Sequence, residues 1–149
     1  MTKNSEAINH IAAFDLSNYE AGDSIDLPIE LPNGLPMLGS DGEPVVFQIM
    51  SADDERFLKV QRRVIDERVA RMKGKRNKTL TAAEGDAEST RLVAAGITGW
   101  TNNLVWGGKP FGFTPDNAAA IVGRLRFVRD QVDAGINDRE RFFGKPSTT

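Results

Sequence analysis

Residues 96–143 read GITGWTNNLVWGGKPFGFTPDNAAAIVGRLRFVRDQVDAGINDRERFF, and they hold both tryptophans and five of the eight phenylalanines of this 149-residue chain. Gly107-Gly108 separates residues 104–106 from residues 109–111, which predicts a hairpin loop with positive φ at both glycines. Thr114 then precedes Pro115, so the threonine can cap a helix whose first turn tolerates proline. The stretch predicts a helix end, a hairpin, a capped helix and a further amphipathic helix, either separate from it or continuous with it.

Two more helices are predicted upstream of this stretch. Ser51 is expected to open the first, because Ser-Ala-Asp-Asp is close to a capping box, and Gly74 ends it. Its apolar residues recur at three- and four-residue steps: Phe57, Val60, Val64, Ile65, Val69 and Met72. The second helix begins at the capping box Thr81-Ala-Ala-Glu84 and is expected to run to Trp100. The predicted core includes Phe47, Phe57, Val64, Trp100, Ile121 and Val132.

The N-terminal third has a different period. Ile25, Leu27, Ile29 and Leu31 alternate with polar residues or proline, the pattern of a half-buried strand. The prolines remove ladder donors, which favours an edge strand or an extended arm. We therefore predict an α+β fold: a small N-terminal antiparallel sheet or extended arm in residues 1–50, then a helical body of three to four helices with a short hairpin in residues 51–149, all in one compact domain.

The net charge of −2 conceals a strong asymmetry along the chain. Residues 1–55 carry −10, residues 56–78 carry +8, and the remainder balances. An acidic arm therefore precedes a basic band on the first helix. Contact between the arm of one chain and the band of another predicts a homo-oligomer.

Enzyme signatures are absent from the sequence. It contains no phosphate loop, no Gly-x-Ser-x-Gly elbow and no His-Glu-x-x-His motif. His10 is the only histidine and there is no cysteine, which excludes the common zinc sites, although carboxylate-only chemistry stays formally open. No apolar run is long enough to span a bilayer. We therefore predict a protein without enzymatic activity, cofactor, bound metal or membrane partner.

Several short patterns together resemble a known protein family. They are Gly-Trp at a helix end, a Gly-Lys-Pro turn, an aromatic-Thr-Pro-x-Asn-Ala-Ala helix start and a closing Gln-Val-Asp…Asn-Asp-Arg…Phe-Phe. In these the chain resembles small tail assembly chaperones of long-tailed bacteriophages, most clearly over residues 97–143. The resemblance implies a protein that keeps the tape measure protein soluble, helps tail tube protein polymerise around it, and works in the host cytoplasm. The acidic N-terminal arm departs from that pattern.

Candidate contact residues follow from two features. A short hairpin cannot bury both faces in its own core, so Val105, Trp106, Phe111 and Phe113 are predicted apolar contacts. The basic band adds five candidate charged contacts: Arg62, Arg63, Arg71, Lys75 and Arg76.

Two other functions stay open. A permanent virion component, such as a tail, connector or capsid-associated subunit, would suit an extended arm that adds a strand to a neighbour. Nucleic-acid binding through the basic helix is disfavoured, because no aromatic residues interleave with the basic ones except Phe57, which belongs to the apolar stripe.

Overall fold

A computed structural model describes residues 15–19, 24–74 and 79–143. A 3-10 turn at Leu16–Tyr19 precedes the regular elements. The strands are β1 (Ile25–Pro28), β2 (Val46–Ile49), β3 (Ile97–Trp100), β4 (Val105–Trp106) and β5 (Lys109–Pro110). The helices are α1 (Glu55–Met72), α2 (Ala82–Ala95), α3 (Pro115–Arg124), α4 (Arg126–Ile136) and α5 (Arg139–Phe143). The predicted α+β fold is confirmed, with five helices among the described residues rather than three or four. His10 lies outside the described residues.

The main sheet is antiparallel, in the order β1-β2-β3. As predicted, β1 is an edge strand, and Pro28 at its end has no N–H to offer. Just beyond it, the side-chain amide of Gln131 on α4 bonds both the N–H and the C=O of Glu30, each at 2.8 Å. These two features leave the outer edge of β1 with few free backbone groups for pairing with another chain.

The prediction that the second helix runs to Trp100 is wrong. Helix α2 ends at Ala95, and the chain turns at Gly96 to enter β3, which pairs with β2. A side chain at position 96 would not fit, since a Cβ there would lie 2.7 Å from Ile136 Cγ2. Pairing with β2 buries Ile97 and Gly99, whereas a further helical turn would leave the inner edge of β2 unpaired.

The helix starts follow local capping chemistry, with one correction. Helix α1 is capped by Asp54, whose carboxylate accepts the Arg56 N–H at 2.8 Å, rather than by Ser51. Ser51 is buried instead and accepts the Asp53 N–H in the preceding turn. The capping box at the start of α2 and the Thr114 cap with Pro115 on α3 are both confirmed.

Helices α3 and α4 are two separate helices. Leu125 between them has extended backbone angles (φ −115°, ψ 95°), and its N–H closes α3 by donating to Ile121 O at 2.8 Å. The break turns α4 toward the sheet, where Gly135 lies directly against Ile49.

The core forms where β1 and β2 meet α2, α3 and α4. Phe47, Val128 and Val132 are fully buried there, and Phe57 and Ile121 nearly so. Of the remaining predicted core residues, Trp100 is half-buried and packs against this cluster, while Val64 is buried apart from it. The core thus belongs mainly to the sheet and the later helices, and α1 contributes little to it.

Candidate partner-binding surface

Helix α1 is attached to the rest of the molecule through three buried apolar side chains, Phe57, Val64 and Met72, and through charged side chains that face α2. Of its own residues only Phe57 joins the main core cluster. On α2, the largely buried carboxylate of Glu88 accepts from Arg68 Nε at 2.9 Å and from Arg71 Nη2 at 3.2 Å. The hydrogen bond from Arg68, aided by Arg71, holds the pKa of Glu88 below its usual range. We call this contact the α1–α2 seam.

Part of the predicted basic band is used in ion pairs with acidic residues of the same chain. Arg71 pairs with Glu84 and Glu88, and Arg62 pairs with Glu55 at 3.2 Å. Arg63 is exposed and forms no ion pair with any described residue. Lys75 and Arg76 lie outside the described residues. Acidic groups of the helices themselves neutralise several band arginines, which weakens the case for a continuous phosphate-binding surface.

The hairpin of β4 and β5 has the predicted turn, with φ of 61° at Gly107 and 76° at Gly108. It is held down by Trp100, whose indole N–H donates to Phe111 O at 2.8 Å and whose ring stacks on Phe47 at 5.1 Å. Phe111 also stacks on that indole, with ring centroids 6.1 Å apart.

The four predicted hairpin contacts therefore differ in exposure. Trp106, Phe111 and Phe113 are half-buried and pack on the core, with the Arg124 guanidinium 6.0 Å from the centre of the Trp106 ring. Val105 alone is largely exposed, at 43%.

Phe113 opens onto an apolar groove of about 430 Å³ between α1, α2 and α3. Most of its lining side chains are small or apolar, and two charged residues, Arg91 and Asp116, also line it. The lining residues are Val60, Arg91, Ala94, Ala95, Ile97, Phe113, Pro115, Asp116 and Ala119. We call this the α1–α3 groove. Of the predicted site residues it contains only Phe113.

Sequence reasoning missed the rest of this groove. The alanines at positions 94–95 and 118–120 were a usable signal, because paired small residues on two helices allow close approach of a third element. Recognising the groove also required knowing that α2 and α3 are neighbours, which no local pattern shows.

Two further findings concern metal binding and membrane crossing. Across residues 15–19, 24–74 and 79–143, no three acidic or histidine side chains lie close enough together to hold a metal ion. No helix in the same part of the chain is long and apolar enough to cross a membrane.

No protein-family model, curated protein or solved structure matches this chain. Its function is therefore inferred from the chemistry of these surfaces and from the resemblance of residues 97–143.

Proposed function

We propose that this protein is a tail assembly chaperone of a long-tailed bacteriophage. It binds an amphipathic helical segment of the tape measure protein in the α1–α3 groove, without catalysis or cofactor. By covering that segment it keeps the tape measure protein soluble until tail tube protein polymerises around it. It acts in the host cytoplasm and is not retained in the virion.

The α1–α3 groove is the single observation that carries this proposal. Its floor consists of alanines, Ile97 and Val60, so an apolar helix face can approach closely. Phe113 supplies an aromatic side chain of the kind that dominates binding energy at interfaces. Arg91 and Asp116 also line the groove, and because Arg91 is already paired with Glu67 of α1, the direction of a bound helix would depend mainly on Asp116.

The resemblance of residues 97–143 supports the same function, since it includes two groove elements, β3 and the start of α3. Arg62 and Arg71 pair with glutamates of their own chain, which disfavours the nucleic-acid alternative. An assembly factor needs a surface that binds and then releases its partner, and an open groove with a modest apolar area suits that task better than a large dry interface.

The groove can be tested by placing a large cation on its wall. Ala119→Arg puts a guanidinium into the groove at an exposed helix position, so the fold should survive. Co-expression with the tape measure protein of the same phage should keep that partner soluble with the wild-type chain. Ala119→Arg should weaken binding of the partner about thirtyfold, which corresponds to one lost hot-spot contact of about 2 kcal/mol, and the soluble fraction of the partner should fall with it.

Ala134→Arg is the matched control. Ala134 is likewise an exposed helical alanine, but it lies on α4 and does not line the groove. This variant should protect the partner as well as the wild-type chain does. If the tape measure protein pellets equally with and without the wild-type chain, the chaperone proposal fails; equal activity of Ala119→Arg and Ala134→Arg would reject the groove as its site. Stoichiometric recovery of the chain in purified virions, measured by mass spectrometry, would instead support a structural role.

A further inference from the structure

Helix α1 carries a second apolar surface, which is exposed at Ile65 and Val69 and partly covered at Leu58. Leu58 is half-buried, Ile65 is 44% exposed and Val69 is 63% exposed. Leu58 and Ile65 are two turns apart and Val69 follows one turn later, so the three side chains lie on one stripe. We call it the outer stripe. It lies on the opposite side of α1 from Val60, and therefore away from the α1–α3 groove.

One edge of the outer stripe carries four charged residues in a regular order. They are Glu55, Arg62, Asp66 and Lys73, separated by seven, four and seven residues. All four are exposed. Their spacing is the same in both directions along the helix, while their signs alternate. Reversing the helix therefore places every charge opposite one of the other sign.

That symmetry defines an antiparallel contact between two copies of α1. With the two helices centred on position 64, Glu55, which pairs with Arg62 of its own chain, faces Lys73 of the second copy, and Arg62 faces Asp66 of the second copy. In antiparallel helix pairs the same edge of each helix meets its counterpart, so both pairs occur twice. The apolar side chains lie close to the same centre. At about 1.5 Å per residue, the two Ile65 side chains are offset along the helix axis by about 3 Å, and Leu58 is offset from Val69 of the second copy by about 1.5 Å, so both pairs stay within contact.

We propose that the chain forms a two-fold symmetric dimer through the outer stripes of two antiparallel α1 helices. Apolar contact along the stripe supplies affinity, and the charged edge sets direction and register, because exposed ion pairs individually add little. The helix is about 27 Å long, so the contact is small for a specific interface, and we expect association in the micromolar range. The groove stays open on both subunits.

Charge reversal gives the sharpest test. Arg62→Asp should place like charges opposite each other twice and raise the dimer dissociation constant about tenfold, and Asp66→Arg should do the same. Mixing the two variants should restore wild-type affinity, because Asp at position 62 then meets Arg at position 66 and the unchanged Arg62 meets the unchanged Asp66. Sedimentation equilibrium from about 1 to 500 µM at low salt measures all four cases.

Two further variants separate this contact from general charge effects. Arg63→Asp makes the same change on the same helix but away from the charged edge, and it should leave the dissociation constant unchanged. Ile65→Ser should weaken the dimer about tenfold through loss of apolar contact alone. Any of three results would overturn the proposal. They are a wild-type chain that is monomeric at every concentration, a dimer whose dissociation constant is unchanged by Ile65→Ser, and a mixture of the two reversed variants that does not recover wild-type affinity. Capture of the outer stripe by a tape measure helix in a wild-type monomer would overturn it as well.

Discussion

Strand β2 and helix α1 are neighbours in sequence, yet different forces hold them in place. Phe47 and Ile49 on β2 have no exposed surface, and they contact side chains from the sheet and the later helices. Helix α1 is much longer and has only three buried residues. Arginine–glutamate pairs on the α1–α2 seam supplement these three apolar contacts.

This difference explains where binding surfaces can exist. A strand that is paired on both edges and buried on one face has little surface left for a partner, whereas a helix held along one side keeps its flanks open. On α1 one flank borders the α1–α3 groove and the other carries the outer stripe. The weaker attachment of α1 is thus what gives the molecule two surfaces for association.

The largest effect should come from the packed region. Phe47→Ala removes a fully buried ring that stacks on Trp100, and it should lower the free energy of unfolding by about 3–5 kcal/mol. Urea titration measures this change. Leu35→Ala, at a position 59% exposed, is the control and should stay within about 0.5 kcal/mol of wild type. A loss of under 1 kcal/mol for Phe47→Ala would show that β2 is not the centre of the core.

The same substitution at two glycines should have opposite signs. On α4, a Cβ at Gly135 would lie 2.7 Å from Ile49 Cδ1, so Gly135→Ala overpacks the core. Overpacking should lower the free energy of unfolding by about 1–3 kcal/mol, and the higher helix propensity of alanine should offset up to about 1 kcal/mol of that loss. On α2, no atom lies within 4 Å of a Cβ at Gly85, so Gly85→Ala should stabilise by about 0.5–1 kcal/mol. Thermal unfolding of both variants measures the contrast. Equal shifts would mean that the two regions are packed alike.

The features that sequence reasoning predicted correctly all depend on a few adjacent residues. The hairpin needs Gly107-Gly108, the cap of α3 needs Thr114-Pro115, and the edge position of β1 follows from Pro28. Such patterns are decided mostly by neighbouring residues, although at Ser51 the near-capping box gave way to the Asp54 cap three residues later.

The features it missed depend on residues far apart in the chain. Residues 97–100 become a strand because β2, some fifty residues earlier, needs a partner on its inner edge. The basic band is partly neutralised because Glu84 and Glu88 face it from the next helix. The α1–α3 groove needs three helices in place. None of these relations has a local signature in the sequence. The sequence therefore placed the candidate apolar contacts on the hairpin, although three of the four side chains pack on the core.

The smallest effect, and the one most specific to the α1–α2 seam, should come from removing a single charge. Glu88→Gln keeps the shape of the side chain and can still accept one hydrogen bond from Arg68, so near neutral pH it should lower the melting temperature only modestly. Its signature is the pH dependence. The pKa of Glu88 is depressed in the folded state by its hydrogen bond to Arg68. The stability that the ionised carboxylate contributes to the fold is therefore fully present above the ordinary glutamate pKa of about 4.3. It is lost as the pH falls through the lower pKa of the folded state.

The difference between the melting temperatures of wild type and Glu88→Gln should accordingly be constant above about pH 5. It should shrink toward zero below about pH 4. Both proteins will lose stability in acid, because arginine hydrogen bonds also depress the pKa values of Asp53 and Asp86, but that loss is common to both and cancels in the difference. Glu67→Gln, which removes the more exposed carboxylate that pairs with Arg91, is the matched control and should give a smaller, more salt-sensitive gap. If the Glu88→Gln gap persisted unchanged to low pH, shape rather than charge would hold α1 against α2, and the contrast between the seam and the core would disappear.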